Sequence, residues 1–179
     1  MAGVGRPIMP REAIGTRDYE ISLAVPEDIP GIVTLQDPNV MDRGGTLSVR
    51  LTADWIERSM REMPIIVGRR DGKVVGYLLS TSIAAMSHVP IIQATLRTFP
   101  PPADCYLYGP VCVDTTERGK GLAGMMFEEL RVRLPGRPAM TFVRADNAAS
   151  LRAHRKMGMQ ELGTFLSDGV PHIAYAYSG

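Results

Sequence analysis

Between Val111 and Gly124 the chain reads Val-Cys-Val-Asp-Thr-Thr-Glu-Arg-Gly-Lys-Gly-Leu-Ala-Gly, an apolar run that passes through three glycines into a helical pattern. The apolar run ends a predicted strand over Cys105–Val113. Beyond it a predicted helix opens at Gly119 and runs to Leu134, where Leu122, Met126, Leu130 and Leu134 recur every four residues, the period of a helix with one buried face. Glycines weaken a helix start, so three of them at a strand-to-helix junction point to a backbone that must come close to something. The unpaired N–H groups of a first helical turn, together with the helix dipole, favour an anion such as phosphate. Arg118 and Lys120 add positive charge at the same place. The segment Arg118, Gly119, Lys120, Gly121, Leu122, Ala123 and Gly124 is therefore the candidate anion cradle.

Gly119–Gly124 also satisfies G-x-G-x-x-G, the dinucleotide fingerprint, with Asp146 roughly 20 residues further on. That reading, a nucleotide-binding oxidoreductase, ranks second. Asp114–Arg118 separate the strand from the first glycine, and too little chain follows Gly124 for the repeated βαβ halves of that fold.

The remaining chain supplies one domain over 18–179, preceded by a flexible tail over 1–17 rich in glycine and proline. Tyr19–Val25 alternates like a half-buried strand, and a helix follows from Glu27 or Asp28 with Pro30 in its first turn. Thr52 is placed to cap a helix through Trp55, Ile56 and Met60. Ile65–Arg69 and Val74–Leu79 flank Asp71-Gly72, a hairpin signal. Ala84–Asp104, with Pro100-Pro101-Pro102, reads as an irregular insertion holding one short helix. Then come a strand over Ala139–Val143, a helix over Ala148–Met157 closed by Gly158, and a hairpin of Gln160–Leu166 with Val170–Tyr177. The fold class is mixed α/β (α+β type): a single, mostly antiparallel sheet flanked by helices, with a central strand–helix–strand crossover.

A chain of 179 residues with 45% hydrophobic and 22% charged residues can bury one core. A net charge of +1 gives no footprint for nucleic acid or an acidic membrane surface, and no run is long enough for a signal peptide or a span. These point to a cytoplasmic protein with neither a nucleic-acid nor a membrane partner. Cys105 and Cys112 lie seven apart in one predicted strand, facing opposite sides, so they do not pair; Cys112 reads as a small buried residue. His88 and His172 lack metal-ligand spacing, and no metal site is expected.

Two stretches carry a family resemblance. Arg118-x-x-Gly121-x-Ala123, after a Val-rich strand end, resembles motif A of the GCN5-related N-acetyltransferases (GNAT). Asp146-Asn147-Ala148-Ala149-Ser150-Leu151-Arg152-Ala153-His154-Arg155-Lys156-Met157-Gly158-Met159, at the family's downstream spacing, resembles its asparagine, helix and Lys-x-Gly stretch. The resemblance implies a GNAT-like fold and transfer of an acetyl group from acetyl-CoA to a primary amine, by direct attack through a tetrahedral intermediate. It implies pyrophosphate on the N–H groups of Gly119–Gly124 and pantetheine paired with Val111, Cys112 and Val113. A backbone N–H of that strand would then face the thioester oxygen. Asn147 would hold the cofactor arm. Ser150 and His154 share its helix stripe at i+3 and i+7.

Many family members carry a tyrosine seven residues after the asparagine, and here His154 stands there. An imidazolium of pKa about 6.5 would readily protonate a thiolate of about 8.5. Tyr108 and Tyr106 are the other candidate proton donors. Ribosomal-protein acetyltransferases of the family tend to carry a carboxylate five residues before the asparagine, and this chain has Phe142. Asp104, Asp114 and Glu117 are nearby loop carboxylates of a kind usually solvated, and a water chain would serve as well, so the general base stays open. Met41, Met60 and Met63 could line an adaptable acceptor pocket, and Asp37 and Asp42 could draw an ammonium group. The acceptor is a small-molecule or peptide amine, a homodimer is compatible with the family, and a non-catalytic CoA-binding module is the non-enzyme alternative.

Overall fold

The protein is described by a computed structural model covering residues 19–40, 47 and 50–179; the tail over 1–17 and the loop residues Met41 and Asp42 lie outside it. The strands are β1 (Glu20–Leu23), β2 (Ile65–Arg70), β3 (Lys73–Ser82), β4 (Tyr106–Val113), β5 (Ala139–Arg144), β6 (Gln160–Ser167) and β7 (Val170–Tyr177). Among the described residues they form one sheet in the order β1-β2-β3-β4-β5-β7-β6. Every pairing is antiparallel except β4 with β5, where the crossover helix forces parallel strands. Both two-residue hairpin turns are Asp-Gly with positive φ at each residue, Asp71-Gly72 (50° and 72°) and Asp168-Gly169 (49° and 74°), the twist that suits a tight antiparallel pair.

Helices cover both faces. Helices α1 (Ile29–Gln36) and α2 (Ala53–Met60) bury Ile32, Leu35 and Ile56 against Ile65, Val67, Tyr77, Leu79 and Cys112. Thr52 caps α2 by accepting the Trp55 N–H. On the other face α5 (Leu122–Arg133) and α6 (Ala148–Lys156) bury Leu122, Met126, Phe127, Leu130 and Leu151 against Ile66, Leu78, Tyr106, Tyr108, Val143 and Tyr175. The base of the loop after α1 is pinned by Gln36, whose fully buried amide donates to the Leu51 carbonyl (3.0 Å) and accepts its N–H (2.7 Å).

Residues 84–104 depart from the irregular insertion expected. The structure has two helices there, α3 (Ile83–Met86), capped by Ser82, and α4 (Pro90–Thr98), opened by Pro90. The triple proline masked the i, i+3, i+7 spacing of Ile92, Thr95 and Phe99. Ile92 and Thr95 are buried, and the Phe99 ring meets Phe165 of β6 edge-on at 6.4 Å. Gly163 permits that approach, since a Cβ there would stand 3.1 Å from Phe99. The excursion thus carries the chain from the end of β3 to the far edge of the sheet and back to β4.

Candidate active site

Strands β4 and β5 pair only at Tyr106–Ala139 and Leu107–Met140, and then part. Gly109 stands where they separate; a Cβ on it would lie 3.7 Å from the Thr141 hydroxyl across the gap. Thr141 is a residue that the sequence did not single out. On its other side β4 remains paired to β3 through Val111–Leu78, Cys112–Tyr77 and Val113–Gly76. The Asp114 N–H donates to Val75 of β3 (2.8 Å), so by strand alternation the Cys112 backbone also faces β3, whereas Val111 and Val113 face the split. The Cys112 side chain is buried beneath α1, where its thiol approaches the Leu35 carbonyl (3.7 Å). Burial pushes its pKa up to about 11, so it is no thiolate at neutral pH.

At the wide end of the split lies the start of α5. The sequence places the helix from Gly119, but it begins at Leu122, because Gly119 (φ 75°) and Gly121 (φ 85°) are left-handed and no helix passes through them. The Met125 N–H closes the first turn on Gly121 (3.1 Å), which leaves the amides of Leu122, Ala123 and Gly124 pointing outward from the helix end. Their position is fixed from below. Gly68 and Gly76 face each other across β2 and β3 and make a notch that receives the Leu122 side chain. A Cβ on either would stand 2.7 Å or 2.9 Å from a Leu122 methyl. Glycines inside two strands were the available sign of this close approach.

The two cations expected at the cradle are engaged with protein. Arg118 donates from Nε to the Val113 carbonyl (3.3 Å) and from Nη2 to the Asn39 side chain, which ties the cradle loop to the end of α1. Lys120 Nζ donates to Glu117 (2.9 Å). Glu117, expected as a solvated carboxylate, is instead buried, and it also accepts from the Tyr19 hydroxyl and from Arg70 (3.0 Å). Those donors, Tyr19 foremost and then Lys120, pull its pKa down to about 2. Its lone pairs are committed to holding the loop, and it has no basicity to offer near neutral pH. The positive end of the cradle is thus chiefly backbone amides and the α5 dipole.

Asn147, Ser150 and His154 do lie along one stripe of α6, joined by hydrogen bonds. Asn147 caps the helix, its Oδ1 accepting the Ser150 N–H (3.1 Å), which leaves its amide nitrogen as the remaining donor. His154 Nδ1 is 2.7 Å from the Ser150 carbonyl and 3.3 Å from its hydroxyl. Since a carbonyl only accepts, the proton sits on Nδ1. The ring is 3% exposed, stacked on Tyr175 at 5.7 Å and edge-on to Tyr108 at 5.5 Å. Burial lowers its pKa, so the imidazole is neutral at pH 7. Tyr108, also buried, directs its hydroxyl to the Met157 sulfur (3.8 Å), and burial raises its pKa. Tyr106 packs in the same core, its pKa pushed up to about 12. Among the described residues no three of His, Cys, Asp and Glu come together as a metal site, and no helix is long and apolar enough to cross a membrane.

A sheet split beside a glycine-opened helix is the framework of an acyl-CoA-binding fold. The chain belongs to the acetyltransferase (GNAT) family, whose model matches residues 31–159. That assignment, with only one parallel strand pair in the sheet, sets aside the dinucleotide reading of Gly119–Gly124. Among the solved structures that share the fold are three acetyltransferases. An N-acetyltransferase from Staphylococcus aureus Mu50 is 22% identical with a TM-score of 0.66, covering 90% of this chain and 99% of its own. A ribosomal-protein-alanine N-acetyltransferase from Brucella melitensis is 22% identical with a TM-score of 0.64, covering 89% and 99%. A GNAT superfamily phosphinothricin acetyltransferase from Sinorhizobium meliloti, solved in complex with acetyl-CoA, is 14% identical with a TM-score of 0.65, covering 90% and 88%. Among curated proteins none matches significantly.

Proposed function

We propose that the protein transfers an acetyl group from acetyl-CoA to a primary amine. The observation that carries this reading is the edge of β4 that β5 leaves unpaired, at Val111 and at the Val113 N–H, set beside the amides of Leu122–Gly124. An extended amide-bearing arm fits the edge, and a pyrophosphate fits the helix start; a relative of the same fold was solved in complex with acetyl-CoA. In this reading Gly119, Lys120 and Gly121 add backbone N–H groups to the cradle, and the Asn147 amide nitrogen bonds the cofactor arm. Ser150 holds the helix stripe in place. The acceptor's neutral nitrogen forms the new C–N bond at the thioester carbonyl, and the C–S bond breaks through a tetrahedral intermediate. A β4 N–H facing the split stabilises the developing oxyanion.

One proton must leave the nitrogen and one must reach the departing sulfur. The nitrogen's proton passes to water, since the β5 position that would hold a carboxylate is Phe142. For the sulfur, Tyr108 is the candidate that carries a proton at neutral pH; the burial that raises its pKa also makes it a weaker donor, and neutral His154 packs edge-on against its ring. Calorimetric titration with acetyl-CoA, CoA, NADH and NADPH tests the reading. Binding of acetyl-CoA and CoA alone, followed by thiol release with an amine, is expected. Binding of NADH or NADPH alone would overturn it. Acetyl-CoA binding without turnover on any amine would leave only a CoA-binding module.

A further inference from the structure

A second cavity, of about 120 Å³, opens between α2, the end of β3 and α3. Its lining includes Trp55, Arg58, Glu62, Thr81, Ala85 and Met86. Its floor is close to the split: Thr81 pairs in register with Leu107, the last β4 residue still bonded to β5. One strand spacing, about 5 Å, therefore separates the cavity floor from β4, which opens two residues, about 7 Å, further along at Gly109. The far wall is α3, so this chain's excursion between β3 and β4 shapes the cavity.

Ser80 of its lining donates to the Pro64 carbonyl (2.6 Å), but three other polar groups are unspent. Thr81 is 6% exposed, yet its hydroxyl finds no hydrogen-bond partner among the described residues. Along α2, Glu57 and Arg61 stand four apart and pair at 3.2 Å. Arg58, on α2, and Glu62, two residues past its end, make no ion pair among the described residues, and both border the cavity. Leaving a cation and an anion unpaired on one rim, over Trp55 and Met86, suits a ligand that brings both charges and a short apolar body.

We propose that this cavity is the acceptor site and that the acceptor is a small apolar α-amino acid or a compound of that form, an amine bearing a carboxylate. Arg58 holds the carboxylate, as a guanidinium does best. Glu62 and the Trp55 ring draw in the ammonium form, and Thr81 hydrogen-bonds beside the reacting nitrogen. The volume admits a side chain of about the size of leucine's and excludes a folded protein surface. The proposal rests on the acetyltransferase reading, and the test separates the two.

Acetyl transfer is followed by thiol release with leucine and with leucinamide and isoamylamine, both of which lack leucine's carboxylate, while acetyl-CoA binding is measured separately by calorimetry. The wild-type enzyme is expected to favour leucine over isoamylamine at least tenfold in kcat/KM. Arg58→Gln should erase that preference through KM and leave acetyl-CoA affinity unchanged. Ala85→Trp, which fills the cavity from the exposed α3, should suppress transfer to leucine with acetyl-CoA binding intact. Quenching or enhancement of Trp55 fluorescence by leucine gives a readout independent of turnover, since it is the one tryptophan in the chain. Acetyl-CoA binding with no preference for leucine, with no transfer to it, or with an Arg58→Gln enzyme that keeps the preference would overturn the acceptor assignment alone. Failure to bind acetyl-CoA would overturn the acetyltransferase reading itself.

Discussion

The wide end of the split offers a ligand mostly backbone: the N–H groups of Leu122, Ala123 and Gly124, the edge of β4, and glycines turned left-handed to expose them. Its charged side chains, Arg118, Lys120 and Glu117, are spent on tying the loop to Asn39, Tyr19 and Arg70. The cavity at the closed end presents the reverse. There the backbone is sealed into β3 and α2, and recognition falls to the side chains of Trp55, Arg58, Glu62 and Thr81. The contrast teaches how a fold keeps one ligand while changing another. A site made of amides tolerates almost any sequence that preserves its glycines, whereas a site made of side chains can be rewritten by a few substitutions.

Gly76→Val is the harshest way to break the comparison. Its methyls would drive into Leu122 and Met126, whose nearest atoms stand 2.9 Å and 3.1 Å from a Cβ at that position. Overpacking of this kind should cost about 3 kcal/mol, read from the urea midpoint, and should lift the α5 terminus from the split. A loss below about 1 kcal/mol would show that Leu122 does not seat the cradle. Next in size is Gly121→Glu, which adds a side chain where φ is 85° and a negative charge where phosphate is expected. The dissociation constant for acetyl-CoA should rise at least about a hundredfold, with the circular dichroism unchanged. Unaltered affinity would remove the cradle from the binding site.

Two roles of Asn147 can be separated. Asn147→Ala should lose about 1 kcal/mol of stability along with the cap. Asn147→Asp keeps the capping oxygen but not the amide donor, so it should hold stability while weakening acetyl-CoA binding severalfold; equal binding would make Asn147 a cap only.

The smallest effect concerns His154. Its pKa is lowered in the folded state, so the unfolded chain takes up more protons as pH falls. The stability from a neutral, buried ring is therefore complete above about 6.5 and declines below it. The transfer rate should rise with pH between about 6 and 9 as the acceptor amine loses its proton, with no falling limb from His154. A rate that falls as pH rises through the histidine's lowered pKa would restore the imidazolium as proton donor.

Much of the cofactor side could be read from residues near one another in the chain. The glycines at 119, 121 and 124, the Val-rich strand before them and the helix stripe of Asn147, Ser150 and His154 lie within two short segments. Their geometry follows from strand and helix periods and from the φ angles that glycine permits. The side chains were less legible, because a residue's partner is seldom its neighbour. Glu117 reads as solvated until Tyr19 and Arg70 are brought to it, and Arg118 reads as a phosphate ligand until Asn39 is. Buried Tyr108 and His154 look alike as proton donors in sequence, and only their surroundings decide which of them keeps a proton.

The sequence by itself determined the crossover, the glycine-opened helix, the Asp-Gly turns and the membership of a family, since each depends on local backbone preference or on a pattern within a few turns. Tertiary structure alone decided that Leu122 drops between Gly68 and Gly76, that 83–98 folds as two helices with α4 reaching β6, and that Arg58, Glu62 and Thr81 border one cavity. Those contacts join positions tens of residues apart, and they arise only when burial of the two apolar faces brings distant segments together.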